Sequence, residues 1–230
     1  MESVEIARID KELAGPEFSP SKIMELNSRA MEASTLIADV SDPIALFRQW
    51  FEDARAKEPD VPDAMSLATA TPDGKPSVRL VLLKDVSPRG FVFYTNTESR
   101  KGHEIDANPA AAICFHWKSL GRQVRAEGIL EPVTAADADA YWATRPRQSQ
   151  IAGWASAQSQ VLPDRHTLQA RVEEFDARFA GHPVPRPDRW TGYCLAPETI
   201  EFWHDVRNRL HDRLIFQRHG DIWRTHRLYP

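Results

Sequence analysis

The runs Met65-Ser66-Leu67-Ala68-Thr69-Ala70-Thr71 and Ser77-Val78-Arg79-Leu80-Val81-Leu82-Leu83-Lys84, joined through Pro72-Asp73-Gly74, decide the fold class. Both runs are rich in strand formers and Pro-Asp-Gly supplies turn chemistry, so the pair reads as a β-hairpin. Residues 90–95 add a third strand, and the chain becomes a meander. Upstream the period differs: Ser41-Asp42-Pro43 offers a capping side chain and a proline suited to a first helical turn. Ile44, Leu46, Phe47, Trp50 and Phe51 then follow at amphipathic-helix spacing. Downstream, residues 110–117, 122–133, 192–203, 213–218 and 222–228 read as strands, and 134–145 and 166–179 as helices. Many short sequential strands with few long helices predict a mainly β, α+β protein: an antiparallel barrel with helices outside it, not a doubly wound parallel sheet.

Over 230 residues no Gly/Ser- or Pro-rich linker splits the middle, so residues 41–230 read as one domain preceded by an arm, 1–40, with weak helical signals at 21–33. A net charge of -4 excludes a general nucleic-acid binder, so any basic patch is local. No apolar run reaches the length of a membrane span. The start, Met1-Glu2-Ser3-Val4-Glu5, lacks a signal-peptide pattern, so a cytoplasmic protein without a membrane partner is expected. Cys114 and Cys194, far apart among apolar neighbours, read as buried free thiols. GxGxxG, GxxxxGK[ST], HExxH, paired CxxC and GxSxG patterns are absent, which removes dinucleotide, P-loop and metal readings and leaves a serine hydrolase unsupported.

Four clusters carry chemistry. In Arg209-Leu210-His211-Asp212-Arg213, alternation along an extended chain places Arg209, His211 and Arg213 on one face, an anion-site signal that a solvated basic edge strand would also give. The strand of residues 79–84 is apolar between its charged ends, so both its faces are expected to be buried, with Arg79 and Lys84 on opposite faces. Tyr94-Thr95-Asn96 runs into Ser99-Arg100-Lys101, where a strand ends and a helix starts near Thr97; the unpaired amides and basic side chains suit a phosphate. Tyr141 and Arg145 lie one helical turn apart, Pro146 ends that helix, and Ser149 follows, a set that suits a phosphate monoester.

Taken in order, Arg79-Leu80-Val81-Leu82-Leu83-Lys84, Phe93-Tyr94-Thr95-Asn96, Ser99-Arg100-Lys101, Arg122-Gln123-Val124, Arg145-Pro146-Arg147-Gln148-Ser149-Gln150, Ile200-Glu201-Phe202-Trp203, Arg209-Leu210-His211-Asp212-Arg213 and the closing Arg227-Leu228-Tyr229-Pro230 strongly resemble the pyridoxine (pyridoxamine) 5'-phosphate oxidase family, from about Asp42 to Pro230. The resemblance implies a split β-barrel homodimer with FMN at the subunit interface. It implies oxidation of pyridoxine or pyridoxamine 5'-phosphate to the aldehyde, with O2 as acceptor, H2O2 as product and ammonia released from the amine, in vitamin B6 salvage.

Carried over by position, the FMN contacts are Arg79, Leu80, Val81, Leu82, Leu83, Lys84, Tyr94, Thr95, Arg100, Lys101, Gln123, Gln158, Ser159, Trp203 and Arg213. Lys84, Tyr141, Arg145 and Ser149 form the implied substrate-phosphate pocket, and Arg209 and His211 sit over the pyridine ring, with His211 a candidate for the substrate proton. The chain departs from the family pattern in the arm, where Asn27-Ser28-Arg29-Ala30-Met31 replaces an Arg-Arg-x-Tyr-like element, and in the glycine-free segment His204-Asp205-Val206-Arg207-Asn208. A phenazine-type FMN oxidase and a non-catalytic flavin or pyridoxal-phosphate carrier are the alternative readings.

Overall fold

The computed structural model describes residues 36–230; the helical signal at 21–33 and the Asn27–Met31 departure lie outside them. Among the described residues the first element is the expected helix, α1 (Pro43–Lys57), and Asp42 caps it by accepting from the amides of Ile44 at 2.8 Å and Ala45 at 3.1 Å. The hairpin follows as β1 (Ala64–Ala70) and β2 (Pro76–Leu82), then β3 (Asp85–Ser87) and β4 (Gly90–Asn96). Helix α2 (Arg100–Ala107) leads to β5 (Ala110–Trp117) and β6 (Arg122–Pro132). Helices α3 (Ala135–Thr144), α4 (Arg147–Ala155) and α5 (Arg165–Arg178) come next, and β7 (Trp190–His204), β8 (Asp212–His219) and β9 (Ile222–Arg227) close the chain. Strand β3 and helix α4 are additions to the sequence reading. Both are short, and α4 follows Pro146 directly, so neither leaves a long periodic signal.

Every strand pair is antiparallel, and the main path runs β2-β1-β5-β6-β7-β4-β3, with β8 and then β9 branching from β7. The path's two ends, β2 and β3, are consecutive in the chain. The Leu83 amide still bonds Asp63 O at 2.8 Å, on the β1 side, while the next amide, Lys84, bonds Val92 O of β4 at 2.8 Å. Two neighbouring residues thus bridge the ends of the sheet, so the sheet must curl, and the result is the mainly β split barrel with flanking helices.

Inside the curl, the α1 face of Ile44, Leu46, Phe47, Trp50 and Ala54 packs on the sheet. Phe47 meets Phe91 edge-on at 4.9 Å and Phe115 at 5.1 Å, and Trp50 meets Phe202 edge-on at 5.2 Å. A second core of Trp142, Ile151, Ala155, Phe175, Val184 and Trp190 joins α3, α4 and α5 to the start of β7. Both cysteines are free thiols, Cys194 buried and Cys114 half-buried. Among the described residues no helix is long and apolar enough to cross a membrane.

Strand β2 corrects the sequence reading. Its exposure alternates, with Val78 at 68% and Leu80 at 71% open on one face, so only one face is buried within a single chain. The apolar composition that implied two buried faces instead leaves an apolar strip on an edge strand.

Phe47 is fully buried and touches rings from three elements, so Phe47→Ala is expected to lower the unfolding free energy by about 3–5 kcal/mol, measured by denaturant titration.

Candidate active site

Between β2, the end of β4, the start of α2 and helices α3 and α4 lies an open cleft of about 770 Å³, within the range of small-molecule sites. Five basic side chains, Arg79, Lys84, Arg100, Lys101 and Arg145, line it, and no acidic residue does. In a chain of net charge -4 that separation is a strong local bias toward anions.

Two clusters supply the cations. In the first, Ser99 caps α2 by accepting from the Gly102 amide at 3.3 Å, and Gly102 is required because a Cβ there would fall 2.1 Å from Thr97 O. The helix therefore starts at Arg100, three residues later than the sequence indicated, and its first turn projects Arg100 and Lys101 to the cleft. Lys101 is 8% exposed, and its ammonium donates to Thr95 Oγ1 at 3.0 Å, Gln158 Oε1 at 3.1 Å and Ser99 Oγ at 3.3 Å, all neutral acceptors. Burial, with the nearby Arg79 charge, lowers its pKa to about 8. Arg79 donates to Leu67 O at 3.0 Å and Thr69 Oγ1 at 2.6 Å, and both Arg79 and Arg100 reach the buried carboxylate of Glu104.

The second cluster is aromatic. Tyr94 stacks on Tyr141 at 4.1 Å and on Trp190 at 5.1 Å; Gly192 makes room, since a Cβ there would sit 2.7 Å from the Tyr94 ring. The Arg145 guanidinium lies 5.0 Å from the Trp190 ring and 5.4 Å from Trp142, and donates to Ser149 O at 3.3 Å, while its Nε is buried without a partner. Burial lowers the Arg145 pKa. Lys84 pairs with Asp63 at 2.9 Å at the cleft edge. It opens on the same cleft as Arg79, contrary to strict alternation, because β2 ends at Leu82 and the chain changes partner there.

The cleft thus gathers Arg79, Leu80, Val81, Leu82, Lys84, Tyr94, Thr95, Arg100, Lys101, Tyr141, Arg145, Ser149, Gln158 and Ser159. Leu83 turns into the core. Gln123, Trp203, Arg209, His211 and Arg213 lie elsewhere: Gln123, Trp203 and Arg213 are register partners across β6, β7 and β8. The ring of His211 is 4.6 Å from that of Trp203. Its Nδ1 is 3.0 Å from Asp205 Oδ1 and 3.3 Å from the Val206 amide nitrogen. Arg213 donates to buried Glu201 at 2.7 Å.

The extended face expected for residues 209–213 is not present. Arg207–Arg209 form a 3-10 turn with Asn208 and Arg209 at φ of 61° and 62°, and β8 begins only at Asp212. No glycine or proline marks that turn, so a period-two reading passes over it. Glu104 and Trp190 were also missed. An acid in a helix and a Trp opening a strand look structural, and only the tertiary arrangement sets them behind the cluster cations.

Comparison with known proteins gives one answer. Residues 51–179 match the family model described as pyridoxamine 5'-phosphate oxidase, and residues 190–230 match the one described as the pyridoxine 5'-phosphate oxidase C-terminal dimerisation region. The chain is 58% identical over 189 residues to the pyridoxine/pyridoxamine 5'-phosphate oxidase of Caulobacter vibrioides, covering 82% of this chain and 85% of that one. The protein of the same name from Sphingopyxis alaskensis is 59% identical, covering 82% and 88%. Among solved structures, PhzG from Burkholderia lata in complex with tetrahydrophenazine-1-carboxylic acid superposes with a TM-score of 0.79 at 34% identity, over 85% of this chain and all of that one. An FMN-binding, pyridoxamine 5'-phosphate oxidase-related protein of Nostoc punctiforme shares the fold, with a TM-score of 0.67 at 16% identity over 84% of this chain and all of that one.

The folded protein holds the Lys101 proton less tightly than an unfolded chain, in which lysine titrates near 10.5. Unfolding therefore takes up a proton between pH 8 and 10.5, and this group makes ligand-free protein more stable as pH rises through that window. Denaturant midpoints across the window should climb more steeply for wild type than for Lys101→Met; parallel profiles would contradict the assignment.

Proposed function

The chain belongs to the pyridoxamine 5'-phosphate oxidase family, and on that premise we propose that it oxidises pyridoxine 5'-phosphate and pyridoxamine 5'-phosphate to pyridoxal 5'-phosphate with FMN as cofactor and O2 as acceptor. The observation that carries the reading is the cleft itself: five basic side chains in two clusters, no acid among its lining residues, and a volume of about 770 Å³ for two ligands with one phosphate each. In the alcohol reaction, the CH2OH group and O2 give the aldehyde and H2O2. In the amine reaction, CH2NH2, O2 and water give the aldehyde, ammonia and H2O2.

The residues present fit a flavin phosphate. Lys101 is buried against neutral acceptors only, so a phosphate dianion would supply the charge partner it lacks among the described residues. Arg79, Arg100, Lys101, Thr95, Gln158 and Ser159 are the residues that would hold it, with Tyr94 and the β2 residues 80–82 alongside. Bound there, FMN would supply the two-electron acceptor chemistry that the oxidation needs, with O2 as the final acceptor. The substrate phosphate is the partner of Arg145, Lys84, Ser149 and Tyr141. Clamping it restricts the orientations C4' can take.

Gln123, Trp203, Arg209, His211 and Arg213 complete the site from a second copy of the chain in a homodimer. The match of residues 190–230 to a dimerisation region and the exposed apolar strip of Val78, Leu80 and Leu82 support that arrangement. His211 takes the proton released from the substrate hydroxyl or amine. Nε2 can take that proton in the tautomer whose Nδ1–H donates to Asp205 at 3.0 Å, and the Asp205 carboxylate stabilises the charge His211 then carries. Arg209 and Arg213 place positive charge where the reaction gathers electrons. A phenazine-type substrate would leave the Arg145 cluster without its phosphate, which argues for the phosphorylated substrates.

Aerobic assays of FMN-saturated protein should yield aldehyde and peroxide from both phosphorylated forms, with little or none from free pyridoxine. Arg145→Ala should raise KM for pyridoxine 5'-phosphate about 10- to 100-fold with kcat little changed, the loss of a charge-assisted hydrogen-bond pair. His211→Ala should lower kcat about 10²-fold or more, the usual range for a general base. FMN binding without turnover of either substrate would sink the oxidase reading and favour a carrier.

A further inference from the structure

Glu104 does not line the cleft, yet it touches the groups that do. It is 5% exposed; its Oε2 accepts from Thr69 Oγ1 and Ser77 Oγ, each at 2.5 Å, and lies 3.3 Å from Arg79 Nη2, while Oε1 accepts from Arg100 Nε at 2.8 Å. The same two hydroxyls also receive Arg79, Thr69 Oγ1 at 2.6 Å and Ser77 Oγ in a very short contact. Arg79 is therefore held twice over, directly by the carboxylate and through two hydroxyls that the carboxylate orients. Arg100 gives Glu104 only its Nε, which leaves its terminal nitrogens for the cleft. Burial pushes the Glu104 carboxyl up, but the Ser77, Thr69 and Arg100 hydrogen bonds and the Arg100 charge outweigh it and hold the pKa down at about 2, so the group is ionised at neutral pH.

A buried carboxylate in this position does two things to an anion site. It fixes long, flexible guanidinium groups before the ligand arrives, so less ordering remains to be done on binding. It also sets the charge: Arg79, Arg100 and Lys101 less Glu104 leave a net +2, which matches a phosphate monoester dianion. We propose that Glu104 is a positioning residue for the flavin-phosphate cradle, acting from behind the cleft through Arg79 and Arg100. This rests on the reading of the cleft as the FMN site.

The test is a fluorescence-quenching titration of the flavin-free full chain with FMN and with riboflavin, which lacks the phosphate. Wild type, Glu104→Gln, Arg79→Ala and the double variant are compared. Glu104→Gln should weaken FMN about tenfold while leaving riboflavin affinity within about twofold. In the Arg79→Ala background the same change should cost about threefold or less, because a partner it acts through is gone. A glutamine variant that binds FMN as tightly as wild type or tighter, an equal loss for riboflavin, or the full tenfold cost persisting without Arg79 would each overturn the inference. Should Glu104→Gln fail to fold, Glu104→Asp, which keeps the charge and shortens the reach, is expected to show the same FMN-selective loss. Failure of the underlying cleft reading is distinguishable in the wild-type arm alone: FMN and riboflavin would then bind equally.

Discussion

The sharing of one strand among three neighbours governs the rest of the molecule. Strand β7 pairs along its length with β6, gives its first half to β4 and its second half to β8. A fifteen-residue strand cannot keep one register through two different environments without a break, and the irregularity at Glu127/Gly128 opposite Pro197 supplies it. Gly128 is needed there because a Cβ would fall 2.0 Å from Ala196 O. The consequence is positional. Trp190 at one end of β7 enters the helical core beside Tyr94, Tyr141 and Arg145, while Trp203 at the other end joins Gln123, His211 and Arg213. One backbone constraint therefore fixes both groups of candidate residues.

The second organising constraint is how charge is buried. The buried acids all have cationic partners: Glu104 with Arg79 and Arg100, Glu201 with Arg125 and Arg213, Asp212 with Arg227. Desolvating a carboxylate is tolerable on those terms. Lys101 is the exception among the buried charged groups described, with only neutral oxygens around it, and its lowered pKa is the physical mark of that deficit. That contrast between paired buried acids and one buried ammonium among neutral acceptors is what the proposed phosphate at Lys101 would resolve.

Much of this was legible from the sequence, and the exceptions share a cause. Apolar spacing and the Asp42-Pro43 cap located α1, and residues 110–117 were read as a strand with the bounds of β5 itself, because both elements have one buried face and clear punctuation. Where the chain changes partner the period is uninformative. Leu83 and Lys84 look like continued β2 but bond to different strands, and so Arg79 and Lys84, assigned to opposite faces, meet in one cleft. The turn at Arg207–Arg209 is similar, built without glycine or proline and with two positive φ angles, one at Asn208 and one at Arg209. The basic residues of the cleft were visible as cations near strand and helix ends. Glu104 and Trp190 were not, because what they do depends on neighbours brought from distant parts of the chain.

The apolar strip on β2 brings these threads together. An edge strand with Val78 and Leu80 more than two-thirds exposed is a hazard unless something covers it. The opposite face of the same strand carries Ser77 and Arg79 to the basic cluster of the cleft. Covering the strip with another chain would put a protein surface along the open side of the cleft. The residues proposed above for the flavin and pyridine rings, Gln123, Trp203, Arg209, His211 and Arg213, are on a different part of this chain. A symmetric pair satisfies both needs with one interface, because in a two-fold arrangement each copy presents to the other the patch that the other lacks. On the function proposed above, the exposed apolar residues and the divided site have a single explanation, a second copy that covers the strip and finishes the cleft.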